Sequence, residues 1–231
     1  MFKWLIGNRK YTFIRAKIAN FFTNMNGALV FYNEPFRKKV IDLIKQIKKE
    51  NKIVLRLNEA YQVYMLAKAS NKIDGDFAEV GVFKGGSAKL ICEAKKNKSL
   101  HLFDTFEGLP KLFEMDDKVM FQKGVMKVNI DDVKNYLKDY SDVYFYKGLF
   151  LNTADPIKDK KFSFVNIYVD IYESTVSCLN FFYERMNKGG IILSHDYIDV
   201  ASVKKAIDDF FKDKHETVIE LSGSQCMIIK L

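Results

Sequence analysis

The sequence predicts an α/β fold: a doubly wound parallel sheet, closed by an antiparallel hairpin and preceded by a helical N-terminal extension. Three observations predict it. From residue 76 onward, short apolar runs alternate with helical stretches, the pattern of strand–crossover–strand units. The first of these runs leads straight into a glycine-rich turn. The last two, TVIEL and CMIIKL, flank Ser-Gly-Ser, a hairpin connection that makes one terminal strand antiparallel.

The extension comes first. Residues 11–25 place Tyr11, Ile14, Ile18, Phe21, Phe22 and Met25 at steps of three and four, a helical stripe. Residues 35–50 repeat it with Val40, Leu43, Ile44 and Ile47, and Pro35 suits a first turn. A third helix spans 57–70, with Asn58 as its cap. Residues 1–70 thus read as a basic helical extension, and 71–231 as the α/β domain. Residues 1–52 hold twelve Lys or Arg against three Asp or Glu, so the net charge of +8 belongs to the extension and the remainder is close to neutral.

In the α/β part, FAEVGV is a buried strand followed by FKGGS and a helix through Glu93. LHLFD is the second strand, and FEGLP a loop. Residues 111–126 are irregular and rich in Met and Phe, in the manner of a lid. A helix at 129–140, with Asp131 and Asp132 in its first turn, precedes the strand VYFYKG. FVNIYVD is the fourth strand, and the helix at 174–186 is closed by Lys188 and Gly189-Gly190. IILSHD is the fifth strand and 203–214 a further helix.

Ligands of such sheets bind beyond the carboxyl ends of the strands, where strand order reverses. The first strand enters Glu79-Val80-Gly81-Val82-Phe83-Lys84-Gly85-Gly86-Ser87. Its spacing is neither the dinucleotide G-x-G-x-x-G nor a Walker loop. The second strand ends in Asp104, an acid placed to accept hydrogen bonds from ribose hydroxyls, or to cap the FEGLP turn. Without a phosphate clamp, the pattern favours an adenosine ligand lacking pyrophosphate, with S-adenosylmethionine as the candidate.

Three blocks in order, EVGVFKGGSAKL, LHLFDTFEGLP and VDIYESTVSCLNFFYERMNKGGIILSHDY, resemble the macrocin O-methyltransferase (TylF-like) family from about Asp76 onward. The resemblance implies a Rossmann-like class I methyltransferase sheet of seven strands. It implies S-adenosylmethionine contacts at Glu79, Gly81, Gly85, Gly86 and Ser87, with Asp104 on the ribose and Phe106, Lys147 and Gly148 at the adenosine pocket. It implies methyl transfer to a hydroxyl of a sugar, glycan or other small natural product, usually with magnesium. The family's fourth strand commonly ends in Asp-x-Asp and its fifth in Asp-Asp-Tyr. Those four acids fall here on Tyr168, Asp170, His195 and Asp196. Asp170, the family's proposed base, and Asp196, a metal ligand, are kept, while two metal carboxylates are replaced.

An alcohol is a poor nucleophile until its proton is removed, so a positioned base is required. With two carboxylates missing, magnesium is expected to bind weakly or not at all. His195 is then either a second base, a partner of Asp196 around a softer metal, or a hydrogen-bonded structural residue. Asp170 would cap the following helix in the bland reading, but Ser174 and Thr175 suit that task better.

Other classes are weaker. There is no Asn/Asp-Pro-Pro-Tyr/Phe motif of base-amino methylation, and the charge lies away from the catalytic body, so no nucleic-acid partner is expected. No G-x-S-x-G supports a hydrolase. A catalytically silent cofactor-binding partner or sensor is the alternative that the missing acids suggest. Cys92, Cys178 and Cys226 read as buried thiols of a cytoplasmic protein. Phe2, Trp4, Leu5 and Ile6 beside Lys3, Arg9 and Lys10 suit peripheral membrane contact through residues 1–30, and packing of the extension suits a homo-oligomer.

Overall fold

The computed structural model describes residues 12–24, 34–112, 114–118 and 121–231. The membrane-contact residues Phe2 to Lys10, together with Tyr11 and Met25, lie outside them. The chain divides into two compact units, Met1–Gln46 and Ile47–Leu231.

The first unit holds α1 (Thr12–Asn24) and most of α2 (Pro35–Lys49). α1 exposes Phe13, Ile14, Ile18 and Phe21. α2 buries Val40, Ile44 and Ile47 at helical spacing and leaves its lysines in water. No described helix is long and apolar enough to cross a membrane.

The second unit begins with α3 (Leu57–Ser70), which packs on α4 (Gly86–Ala94). Asn58 does not cap α3. The backbone N–H of Arg56 instead donates to Glu59 Oε2 at 2.8 Å, while Asn58 Nδ2 donates to the Ser222 carbonyl at 2.7 Å. The remaining elements are β1 (Asp76–Val80), β2 (Leu100–Asp104), α5 (Ile130–Tyr136), β3 (Val143–Lys147), α6 (Phe150–Thr153), β4 (Phe162–Ile167), α7 (Tyr172–Tyr183), β5 (Met186–Ser194), α8 (Ala201–Phe211), β6 (Ile219–Glu220) and β7 (Cys226–Ile229).

The seven strands form one sheet in the order β3-β2-β1-β4-β5-β7-β6, with only β7 antiparallel to its neighbours β5 and β6. Strand order reverses at β1, which pairs with β2 on one side and β4 on the other. Because side chains alternate, each strand feeds two faces. Ala78, Val80, Val165 and Ile167 join Cys178, Leu179 and Phe182 of α7 and Ile207 of α8 in one buried cluster. Phe77 and Phe164 meet edge-on, and with Glu79 and Asn166 they occupy the alternate positions, which face the other way. All three cysteines are buried and unpaired.

The expected helix stop at Gly189-Gly190 is a strand feature. α7 ends at Tyr183, and both glycines lie inside β5 where its register on β4 shifts, Phe162 facing Met186 but Phe164 facing Ile191. Gly189 has φ +83°, the conformation such a bulge asks of glycine.

Candidate active site

A cleft of about 870 Å³ opens at the carboxyl ends of β1, β2 and β4, lined among others by Gly81, Ser87, Asp104, Gly148, Tyr168 and Asp170. This is where an open parallel sheet receives ligands. Gly81 has φ +89°, and a Cβ there would lie 1.8 Å from the Tyr168 carbonyl oxygen, so only glycine lets these two strand ends pass. Gly85 and Gly86 do not line the cleft. A Cβ on Gly85 would meet Val133 of α5, and one on Gly86 would strike the Lys52 carbonyl. The glycines that follow Gly81 therefore serve close packing around the turn.

Asp104 holds this turn directly. Its Oδ2 accepts the N–H groups of Val82 and Phe83, each at 2.8 Å, and its Oδ1 accepts that of Phe106 at 2.7 Å. Asp104 itself lines the cleft, and a carboxylate oxygen with one bond keeps room for another. Phe106 is buried, and it and Lys147 border a neighbouring pocket instead of this cleft. Lys147 is paired with Glu107 at 3.0 Å.

Glu79 is fully buried beneath the turn. Asn166 Nδ2 donates to its Oε1 at 2.7 Å. Burial pushes its carboxyl up to about 8, against the pull of Ser87 and Asn166. Since Asn166 uses its amide nitrogen on Glu79, its Oδ1 accepts from His195 Nε2 at 2.8 Å, and His195 Nδ1 in turn accepts from Gln225 Nε2 at 3.0 Å. Both ring nitrogens are engaged and burial lowers the ring's pKa to about 3. His195 is therefore held neutral within the sheet, an arrangement that suits a hydrogen-bonded structural residue better than a second base or a metal partner for Asp196. Tyr168 stacks on this ring with centroids 4.4 Å apart.

Asp170 and Asp196 do meet. Burial and a hydrogen bond from its carboxyl to Asp196 raise Asp170 well above the usual carboxylate range, and burial raises Asp196 as well. The two acids share a proton, Asp170 donating and Asp196 accepting. Phe83, Phe106, Asp170 and Asp196, which follow the tips of β1, β2, β4 and β5, all have φ between 49° and 60°. Left-handed non-glycine residues clustered at one end of a sheet mark strain concentrated where function sits.

The residues fit an adenosine-bearing sulfonium better than a metal. The glycine approach at Gly81 and the carboxylate of Asp104 at the cleft suit a ligand with hydroxyl donors. Among the described residues, no three His, Cys, Asp or Glu are arranged to hold a metal ion. His195 faces Asn166 and Gln225, Tyr168 presents a phenol, and Asp170 is turned onto Asp196.

Two walls of the cleft come from segments whose conformation the sequence does not give. One is Lys52-Ile53-Val54-Leu55, ahead of α3. The other is Leu109, Pro110 and Met126, at the neck of the Met- and Phe-rich segment, where Leu109 N–H donates to the Val125 carbonyl and Gly124 N–H to the Leu109 carbonyl, both at 2.9 Å. Nothing in local periodicity announces either. Ser174 lines the cleft, but neither Ser174 nor Thr175 caps α7. Its first N–H, on Tyr172, is taken by the buried Asp116 at 3.0 Å.

Among known proteins, the chain resembles demethyldecarbamoylnovobiocin O-methyltransferase of Streptomyces niveus, 25% identical over 155 residues, covering 61% of this chain and 59% of the relative. It also resembles the 8-demethyl-8-(2,3-dimethoxy-alpha-L-rhamnosyl)-tetracenomycin-C 4'-O-methyltransferase of Streptomyces olivaceus, 25% identical over 153 residues, covering 60% of this chain and 58% of the relative. The chain thus spans about three fifths of the length of the curated relatives it matches. Among solved structures, the O-methyltransferase NovP superposes with a TM-score of 0.68 at 22% identity, covering 78% of this chain and 82% of the other. The calicheamicin methyltransferase CalS11 gives 0.66 at 16% identity, covering 86% and 94%. These likenesses support the Rossmann-like sheet with its reversed C-terminal hairpin. The macrocin-O-methyltransferase (TylF) family model matches residues 55–222, a span that runs from the cleft wall at Leu55 through every strand tip described above, and the chain belongs to that family.

Proposed function

We propose that this chain is an S-adenosylmethionine-dependent O-methyltransferase whose acceptor is a hydroxyl of a sugar, glycan or other small natural product, with Asp170 as the base. The observation that carries the proposal is the cleft itself, in which Gly81, Asp104 and Asp170 line one cavity at the strand-order reversal. Family membership supports the reaction class, and the curated relatives support the acceptor class.

When bound, S-adenosylmethionine would supply an electrophilic methyl on a sulfonium that leaves as a neutral thioether. Gly81 would let the donor approach the backbone and Asp104 would receive a ribose hydroxyl, while Glu79 lies buried beneath the turn. Asp170 then deals with the acceptor. Its oxygen that is not bonded to Asp196 receives the acceptor's hydroxyl proton as the O–CH₃ bond forms. The proton that Asp170 already holds passes to Asp196. Burial of Asp170 keeps water from competing for the site. The pair returns one proton to solvent after each turnover.

The test is calorimetric binding of S-adenosylmethionine and S-adenosylhomocysteine, followed by methyl transfer to a panel of deoxysugar and phenolic-glycoside hydroxyls. We expect Asp170→Asn to retain binding and to lose about 10²–10⁴-fold in kcat. Absence of binding by the wild type, or unchanged turnover in D170N, sinks the proposal. Tight binding with no turnover of any acceptor would favour the silent-sensor reading, which the replacement of two acids by Tyr168 and His195 motivates.

A further inference from the structure

The corner of the site beyond β4 and β5 is rich in acids and short of a counter-charge. Asp170 and Asp196 stand at the two strand tips, Asp199 follows in the same turn, where Val200 N–H donates to the Asp196 carbonyl at 2.9 Å, and buried Glu59 comes from α3. A divalent ion is the ordinary remedy for such a corner, yet its ligands are spent: His195 on Asn166 and Gln225, Asp170 on Asp196.

One cation is already built in. Arg56, just ahead of α3, reaches across 143 residues of sequence to place Nη2 2.9 Å from Asp199 Oδ2, while its Nη1 lies 3.1 Å from Glu59 Oε1. Its field favours the ionised forms of Asp196 and of Tyr168. Glu59 is tied down by the Ser224 backbone N–H at 2.9 Å, so the guanidinium is anchored by a rigid acid on one side and by the Asp196–Asp199 turn on the other. Arginine suits the task because it stays charged at every working pH and can hold two carboxylates at once. Its side chain is half exposed, leaving donors for solvent or acceptor.

We propose that Arg56 is the resident cation of the acceptor corner, standing in place of a divalent ion by bridging Asp199 and Glu59 beside the Asp170–Asp196 pair. This rests on the methyltransferase reading for its purpose. It makes Arg56 a positioning residue, one that balances charge around the base without touching the methyl group.

The experiment titrates Mn²⁺ alone against the full chain and follows free ion by electron paramagnetic resonance, with S-adenosylhomocysteine binding measured in parallel. The wild type is expected to show no saturable Mn²⁺ site. Arg56→Gln is expected to bind Mn²⁺ at least about tenfold more tightly than the wild type, since Asp199 and Glu59 then lose the cation they share. Arg56→Lys keeps the charge and should behave as the wild type. A saturable wild-type site that Asp196→Asn abolishes overturns the proposal, as does an R56Q protein that gains nothing. Should R56Q fail to fold, the wild-type titration and its D196N control decide alone. Failure of S-adenosylhomocysteine binding indicts the methyltransferase reading instead, so the two failures are told apart.

Discussion

Asn166 decides the state of two titratable neighbours. By giving its amide nitrogen to Glu79 and its oxygen to His195, it connects the carboxyl beneath the glycine turn to the imidazole at the tip of β5. Asn166→Ala would leave a buried donor and a buried acceptor without partners. We expect it to cost about 1–3 kcal/mol of stability, read from urea denaturation. Residue types at the site were legible in the sequence: an acid and glycines after β1, an acid after β2, Asp170 and Asp196 at the later tips. Their directions were not. Nothing local tells that the His195 ring turns along the sheet, because its partners lie 29 and 30 residues away. Nor does an isolated aspartate reveal that it donates to another; that follows only once folding brings Asp170 against Asp196 in a dry corner.

Among the elements, periodicity located the helices and strands well, since their apolar faces are decided by burial in the sheet. What escaped were ends and connections. Gly189-Gly190 follows a helix and so reads as its stop, yet the same residues satisfy a bulge, and pairing with β4 chose the bulge. The N-terminus of α7 shows the same lesson: serine and threonine in its first turn looked like caps, but Asp116, 56 residues earlier, takes the Tyr172 N–H. This aspartate fastens the segment after Pro110 to the helix that follows Asp170. Asp116→Ala should lower stability by about 1 kcal/mol, in line with a lost cap. Limited proteolysis should then cut between Leu109 and Val125 sooner than in the wild type, whereas Asp116→Asn, which still accepts, should protect that segment.

For the molecule as a whole, buried titratable groups set limits on pH from both sides. His195 is neutral when folded, with a pKa near 3 against 6.5 unfolded, so the unfolded chain binds the extra proton. Its contribution is complete above pH 6.5 and is lost as pH falls toward 3. Glu79 has the opposite sign. Its folded pKa of about 8 lies above the ordinary 4.5, so the folded chain binds the extra proton and stability drains as pH rises through that interval. Glu79→Gln, permanently neutral, should melt together with the wild type near pH 4 and several degrees above it at pH 8. Parallel melting curves at both pH values would refute the assignment.

The position of β1 has a consequence for how the chain comes into being. Its neighbour β2 emerges from the ribosome about two dozen residues later, but the other neighbour, β4, starts at Phe162. Throughout that interval one rim of Phe77–Val80, apolar and hydrogen-bond hungry, has no mate, and such a rim recruits other nascent chains. Fragments that stop before Phe162 should therefore precipitate or cling to chaperones, and slow codons placed between β3 and β4 should cut the soluble yield more than the same codons placed after β5.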